Sequence, residues 1–359
     1  MADFPAQPEN VTAAWLDRCL RDAGIISDQR VTGLTWEAIG TGQVGDSVRF
    51  HLIYDRAGSG PQTLAGKFPA ADATSRGTAA AFGLYAKEVG FYREISQQLD
   101  VRVPRAFAAE IGDDGIKFVL LFEDLGPARG GNQLDSCVVD DARAAIVQAA
   151  ALHAPSWGNA QILQCPWLQP PPHVADQIQA LYPHAQTLFS ERYSKTLEPE
   201  YMAICEGLAE DVARGLGRNR PHQCLIHGDF RLDNMLFDIQ GGSEPIAVLD
   251  WQTTALGRPL TDIGYFLGCG IGRELRRAHE AELLALYCAE MTTRGVAMEP
   301  GQIWDDYCIG ALHGVSTAVF SAAYVERTPR GDANFLSMAR GACDLAMEHD
   351  SLGVQRKAG

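Results

Sequence analysis

The chain has 359 residues, with 30 Lys plus Arg against 45 Asp plus Glu, a formal charge of −15. Hydrophobic residues at 46% exclude a disordered chain. The length exceeds the roughly 250–300 residues at which one core stops growing, so two lobes are expected. The acidic balance argues against nucleic-acid and anionic-membrane surfaces, which need basic residues.

Nine scattered cysteines form neither a C-x-x-C pair nor a zinc-ligand spacing, and read as reduced core thiols of a cytoplasmic protein. The first ten residues lack the basic and apolar runs of a secretory signal. The most apolar stretch, 310–325, carries His313, Ser316, Thr317 and Ser321, and reads as a buried helix rather than a membrane span.

In chain order, Thr12 caps a helix that stops at Gly24. Strand character follows at 31–39, 48–54 and 63–68, with Gly40-Thr41-Gly42-Gln43-Val44-Gly45 between the first two. Residues 78–99 read as a helix, and 103–110 and 116–122 as two more strands. After Asp124 the pattern turns helical, at 140–153, 174–194, 199–216 and most of 261–352. Two short strands, ending at His227 and Asp250, interrupt it. The expected fold is α+β and bilobal, with a β-rich lobe over 1–124 and a mainly helical lobe over 125–359.

The segment 225–237 contains His227-Gly228-Asp229, with Asn234 five residues beyond Asp229. Sixteen residues beyond Asn234, an apolar run ends in Asp250. Kinase-type phosphoryl transfer needs this set: one carboxylate for the attacking hydroxyl, then an amide oxygen and a second carboxylate for Mg²⁺. Each piece alone could be a turn or an ordinary strand end, but their order favours the catalytic reading.

These strings, with LLFEDLG (120–126), LHAPSWG (152–158) and GRPLTDIGYFLG (257–268), resemble the aminoglycoside phosphotransferase/choline kinase superfamily. They look closest to its ecdysteroid-kinase-like branch and related bacterial phosphotransferases. The resemblance covers roughly 30–270 and is weak over 160–220. It implies a protein-kinase-like fold and ATP- and Mg²⁺-dependent phosphorylation of a hydroxyl on a small molecule. The implied partners are ATP and that acceptor, with neither nucleic acid nor membrane.

By that resemblance, Gly40, Gly42 and Gly45 belong to a hairpin over the ATP phosphates. A plain β-turn is the alternative; a dinucleotide fingerprint is disfavoured because a strand, not a helix, follows. Lys67 is the expected α/β-phosphate lysine, with Glu88 preferred to Glu94 as its partner. The Glu123 carbonyl and the Leu125 N–H are expected to meet adenine. Asp229 is the expected catalytic carboxylate, and Asn234 and Asp250 are the metal ligands. Arg231 either reaches the transferring phosphoryl group or pairs with Asp233. His227 is structural, and Asp262 braces the loop through backbone amides, caps the helix that follows, or does both with one side chain.

The acceptor side is expected from about 166–220 and 270–330. The aromatics there (Trp167, Tyr182, Phe189, Tyr193, Trp304, Tyr307, Phe320 and Tyr324) form either an acceptor wall or, for most of them, core. The competing functions are a non-catalytic nucleotide-binding pseudokinase and a protein kinase. The first is opposed by the complete residue set, the second by the lack of an A-P-E segment.

Overall fold

The computed structural model describes residues 4–40, 44–58, 60–169, 174–211, 223–325 and 327–358. Five antiparallel strands form the N-terminal sheet: β1 Val31–Ile39, β2 Gly45–Tyr54, β3 Thr63–Pro69, β4 Ala106–Ile111 and β5 Phe118–Glu123. Their order is β1-β2-β3-β5-β4. The central run Phe118-Val-Leu-Leu-Phe122 is buried on both faces. Alternation along a strand sends Val119 and Leu121 to one face, against Trp15, Leu16 and Leu20 of the helix Ala13–Asp22. Phe118, Leu120 and Phe122 go to the other face, into a core shared with the helical lobe. The first helix is capped as its sequence requires, Thr12 Oγ1 accepting from Trp15 N at 3.2 Å.

The helix expected over 78–99 is broken. Gly83 adopts φ +65° between the helices Ala73–Ala81 and Leu84–Gly90, and the chain then widens into an i→i+5 turn over Phe91–Ile95. The break lets Leu84–Gly90 lay Tyr85, Glu88 and Val89, spaced at i, i+3 and i+4, against the sheet.

The C-terminal region is helical, with long elements at Val139–Ser156, Val174–Tyr193, Pro199–Glu210, Arg273–Thr293, Pro300–Tyr324 and Pro329–Glu348. The part of the expected 199–216 helix beyond Asp211 lies outside the described residues. Two small antiparallel sheets follow, one of two strands and one of three. Strand β7 (Cys224–Ile226) pairs with β10 (Ala255–Gly257), and β8 (Met235–Asp238) pairs with β9 (Glu244–Val248) and with the short strand β6 (Arg129–Gly130) that leads its sheet. Eight of the nine cysteines are buried, and all are free thiols. Among the described residues, no helix is long and apolar enough to cross a membrane.

Candidate active site

Lys67 leaves β3 toward the interlobe cleft, its register fixed opposite Ser47 on β2 and Leu120 on β5. Its ammonium meets Glu88 Oε2 at 2.7 Å and Asp250 Oδ1 at 2.8 Å. Burial alone would lower the Lys67 pKa, but the two carboxylates outweigh it and hold the side chain charged, above its ordinary value. Glu94 faces elsewhere and accepts from Trp167 Nε1 at 2.9 Å. Across the widened turn at Phe91–Ile95 the two carboxylates meet different neighbours, Lys67 for Glu88 and Trp167 for Glu94.

The 227–234 loop is held from every side. Asp262, fully buried, accepts from His227 N at 2.7 Å, Gly228 N at 2.9 Å and His153 Nε2 at 3.2 Å. Burial would raise the Asp262 carboxyl; His153 and the loop amides overcome it and keep it below its usual range. Asp262 lies inside the first turn of Leu260–Tyr265, where Pro259 is the cap residue, so the cap role expected as one option does not occur. His227 Nε2 lies 2.9 Å from the Leu249 carbonyl, while its Nδ1 accepts from Asp229 N at 3.2 Å, which assigns the proton to Nε2. Gly228 sits at φ +80°, and a Cβ there would meet Thr253 O at 2.7 Å, so no larger residue fits.

Asp229 carries a full set of donors. Arg231 Nε lies 3.0 Å from both carboxylate oxygens, Tyr265 Oη donates to Oδ1 at 2.7 Å, and Asn234 Nδ2 donates to Oδ2 at 2.8 Å. Burial pushes the Asp229 pKa up; Arg231, the Tyr265 hydroxyl and His227 outweigh it and hold it below 3.8. Arg231 also pairs with Asp233 at 2.8 Å, so it joins both carboxylates at once.

Hairpin geometry closes the long gap between Asn234 and Asp250. The β8–β9 register opposes Met235 to Val248, placing the residues just outside each strand end together. Leu249 N accordingly donates to Asn234 O at 2.8 Å. Asp250 takes φ +64°, a left-handed conformation that Asp tolerates better than most residues, and Gln252 Nε2 donates to its Oδ2 at 3.2 Å.

The donor set suits Mg²⁺. Asn234 spends its Nδ2 on Asp229, on both the backbone oxygen and the side chain, leaving its amide oxygen as the atom for a cation. Asp250 adds a hard carboxylate on the same cleft wall. Among the described residues no cluster of three or more His, Cys, Asp or Glu could hold a metal. Two protein oxygens completed by phosphate and water is the usual Mg²⁺ arrangement.

Lys67, Glu88, Asp229, Arg231, Asn234 and Asp250 line one cleft of about 1160 Å³. Gly40 (φ +78°) ends β1 and Gly45 opens β2 at its roof. Gly42 lies outside the described residues. Glu123 and Leu125 line the cleft where β5 crosses between the lobes. The Glu123 carboxylate is turned to Arg102 at 2.6 Å, which leaves main-chain atoms as what it offers the cleft.

The far end is walled by His313, Thr317, Ser321, Arg330, Asn334 and Phe335, all on the helices Pro300–Tyr324 and Pro329–Glu348. None of the eight expected aromatics is on the described wall. Tyr182, Phe189, Tyr193 and Tyr307 are buried in the helical cores. Sequence reasoning missed Tyr265, which reaches Asp229, and His313, whose Nε2 lies 2.8 Å from the Gly228 carbonyl. The signal for Tyr265 was its place inside GRPLTDIGYFLG; for His313 it was a lone His in an apolar helix.

A β-rich lobe over a helical lobe, with a lysine, an asparagine and two carboxylates converging between them, defines a kinase-like phosphotransferase fold. A sequence profile of the phosphotransferase enzyme family (APH) matches residues 74–298, and the chain belongs to that family. Spectinomycin phosphotransferase APH(9)-Ia, solved with ADP and spectinomycin, superposes with TM-score 0.52 at 12% identity, over 96% of this chain and 100% of that one. The ethanolamine kinase of Plasmodium vivax gives TM-score 0.50 at 11% identity, over 86% and 82%. Acyl-CoA dehydrogenase family member 11 of Homo sapiens is 44% identical over 78 residues, 22% of this chain. Those residues span 10% of that relative's length.

Proposed function

We propose that the protein transfers the γ-phosphoryl group of ATP, with Mg²⁺, to a hydroxyl of a small molecule. The observation that carries this reading is the convergence of Lys67, Asp229, Asn234 and Asp250 on one cleft. Lys67, held by Glu88, would bind the α/β-phosphates, and the Gly40–Gly45 hairpin would cover them with backbone amides. The Glu123 carbonyl and Leu125 N–H would bond adenine. Asn234 and Asp250 would hold Mg²⁺, which when bound neutralises charge developing on the phosphates.

Asp229 orients the acceptor hydroxyl. Arg231 shares one N–H between both Asp229 oxygens, so lone-pair capacity remains for the incoming O–H. A carboxylate with a depressed pKa is a weak base, which suits a transfer in which the proton leaves late and positioning does most of the work.

The test is label transfer from γ-labelled ATP into a broad panel of hydroxylated small molecules, with and without EDTA. Transfer that depends on Mg²⁺ and appears in the small-molecule fraction supports the reading. Label in protein alone would point to a protein kinase. Nucleotide binding without transfer to anything would leave a non-catalytic module.

A further inference from the structure

Resting on the phosphotransferase reading above, we propose that the acceptor is a hydroxylated organic anion whose negative group is bound by Arg330. The charges at the acceptor end of the cleft carry this. Only two carboxylates stand there among the described lining residues, Asp229 and Asp233. Asp229 is committed to Arg231, Tyr265 and Asn234, and then to the reacting hydroxyl.

Asp233 is held by three donors. Its Oδ1 accepts from Gln133 N at 3.1 Å, and its Oδ2 accepts from Arg231 at 2.8 Å and Asn334 Nδ2 at 3.4 Å. Both carboxylates are already paired with the Arg231 guanidinium, so neither stands as an uncompensated charge for an ammonium ligand. The two helices add His313, Thr317, Ser321, Asn334, Phe335 and Met338 to the described wall, and no acid. Asp332, on the same turn as Arg330, is tied to Tyr193 at 2.7 Å and Arg327 at 2.8 Å.

Arg330 is the cation with capacity to spare. Its side chain is 51% exposed, and its contact with Asp233 is long, at 3.7 Å. A guanidinium with open donors over a wall of Phe335, Met338 and two hydroxyls suits a carboxylate or phosphate monoester on a partly apolar body. A polycationic amino sugar would meet two cations and no free acid there.

The experiment is transfer of label from ATP by the full chain to four matched acceptor sets. These are hydroxycarboxylates of graded chain length, hydroxylated phosphate monoesters, the neutral amides of the same acids, and amino alcohols with aminoglycosides. The anions are expected to exceed their amides at least about tenfold in kcat/KM. The first two sets decide which anion Arg330 takes. Arg330→Gln is expected to raise KM for the anion about tenfold, leave KM for ATP unchanged and bring anion and amide to parity, while Arg330→Lys keeps part of the preference. Faster transfer to amines or amino sugars overturns the proposal and leaves the phosphotransferase reading standing. So does an Arg330→Gln variant that slows anion and amide equally. Transfer to no set at all overturns both.

Discussion

The two ends of the cleft are built differently. At the phosphate end, each side chain is pinned by several partners: Lys67 by two carboxylates, Asp229 by three side chains, Asp262 by three donors. At the acceptor end, Arg330 has one long contact, and Asn334 Oδ1 is buried without a partner. A transition state of fixed chemistry rewards a rigid, preorganised constellation. An acceptor site has only to place one hydroxyl, so its side chains can vary without disturbing the hydrogen bonds that hold Asp229.

That contrast is broken most severely at Asp229. Asp229→Asn removes the carboxylate and leaves Asn234 facing an amide. Turnover is expected to fall by about 10²–10⁴-fold, with nucleotide Kd nearly unchanged, measured by steady-state rates alongside nucleotide titration. Lys67→Ala comes next. It leaves Glu88 and Asp250 without their shared cation, so kcat/KM for ATP is expected to drop about 10²–10³-fold. Both substitutions should act alike on every acceptor. A change in acceptor ranking from either would mean that the two ends are not separate.

The phosphate end was legible because its spacings encode its contacts. Asp229, Arg231 and Asn234 lie within six residues and bond one another. Asp250 is far in sequence but joins them through a single hairpin. Glu88 could be preferred to Glu94 because it fits the family pattern of Glu followed by an aromatic pair, with helix geometry adding only that the two face different directions. The acceptor end follows no such rule. His313, Arg330 and Asn334 come from two late helices whose rotations are set by the packing of Leu312, Val315, Val319, Met338 and Ala342. Nothing local to Arg330 says which way its helix faces. The aromatics drew attention because large apolar side chains stand out in a sequence, yet size is what core packing selects. Tyr265 went unread because its hydroxyl matters only once the 227–234 loop is placed beside it.

Asp262 tests whether the rigidity of the phosphate end is a matter of stability or only of chemistry. Removing it orphans the buried His227 amide, the part-buried Gly228 amide and His153 Nε2. Asp262→Ala is therefore expected to cost about 2–4 kcal/mol in denaturant unfolding and to lower turnover with every acceptor. The pH dependence has a definite sign. The folded Asp262 pKa lies below its ordinary 3.8. Its stabilisation is thus fully present above that value and is lost as pH falls through the folded one. Wild type and Asp262→Asn should differ most in stability above about pH 5 and converge as pH drops below about 4. Curves that stay parallel across that window would show that Asp262 is not held as a carboxylate.

The smallest expected effect is the most discriminating about which residues belong to the phosphate end. Glu88 and Glu94 lie on one short stretch of chain and carry the same charge, so any account based on composition treats them alike. Glu88 touches Lys67 at 2.7 Å, whereas Glu94 receives Trp167 Nε1 and the Cys165 thiol. Glu94→Gln keeps an acceptor oxygen for that indole, so turnover should stay within about twofold and stability within about 0.5 kcal/mol. Glu88→Gln turns a buried ion pair into a neutral contact and frees Lys67 to lean on Asp250, the expected metal ligand. Its cost should therefore show mainly in KM for ATP and in the Mg²⁺ concentration required. Equal losses from both substitutions would mean that the lysine is oriented by the field of the whole helix, and that the single contact at 2.7 Å is incidental.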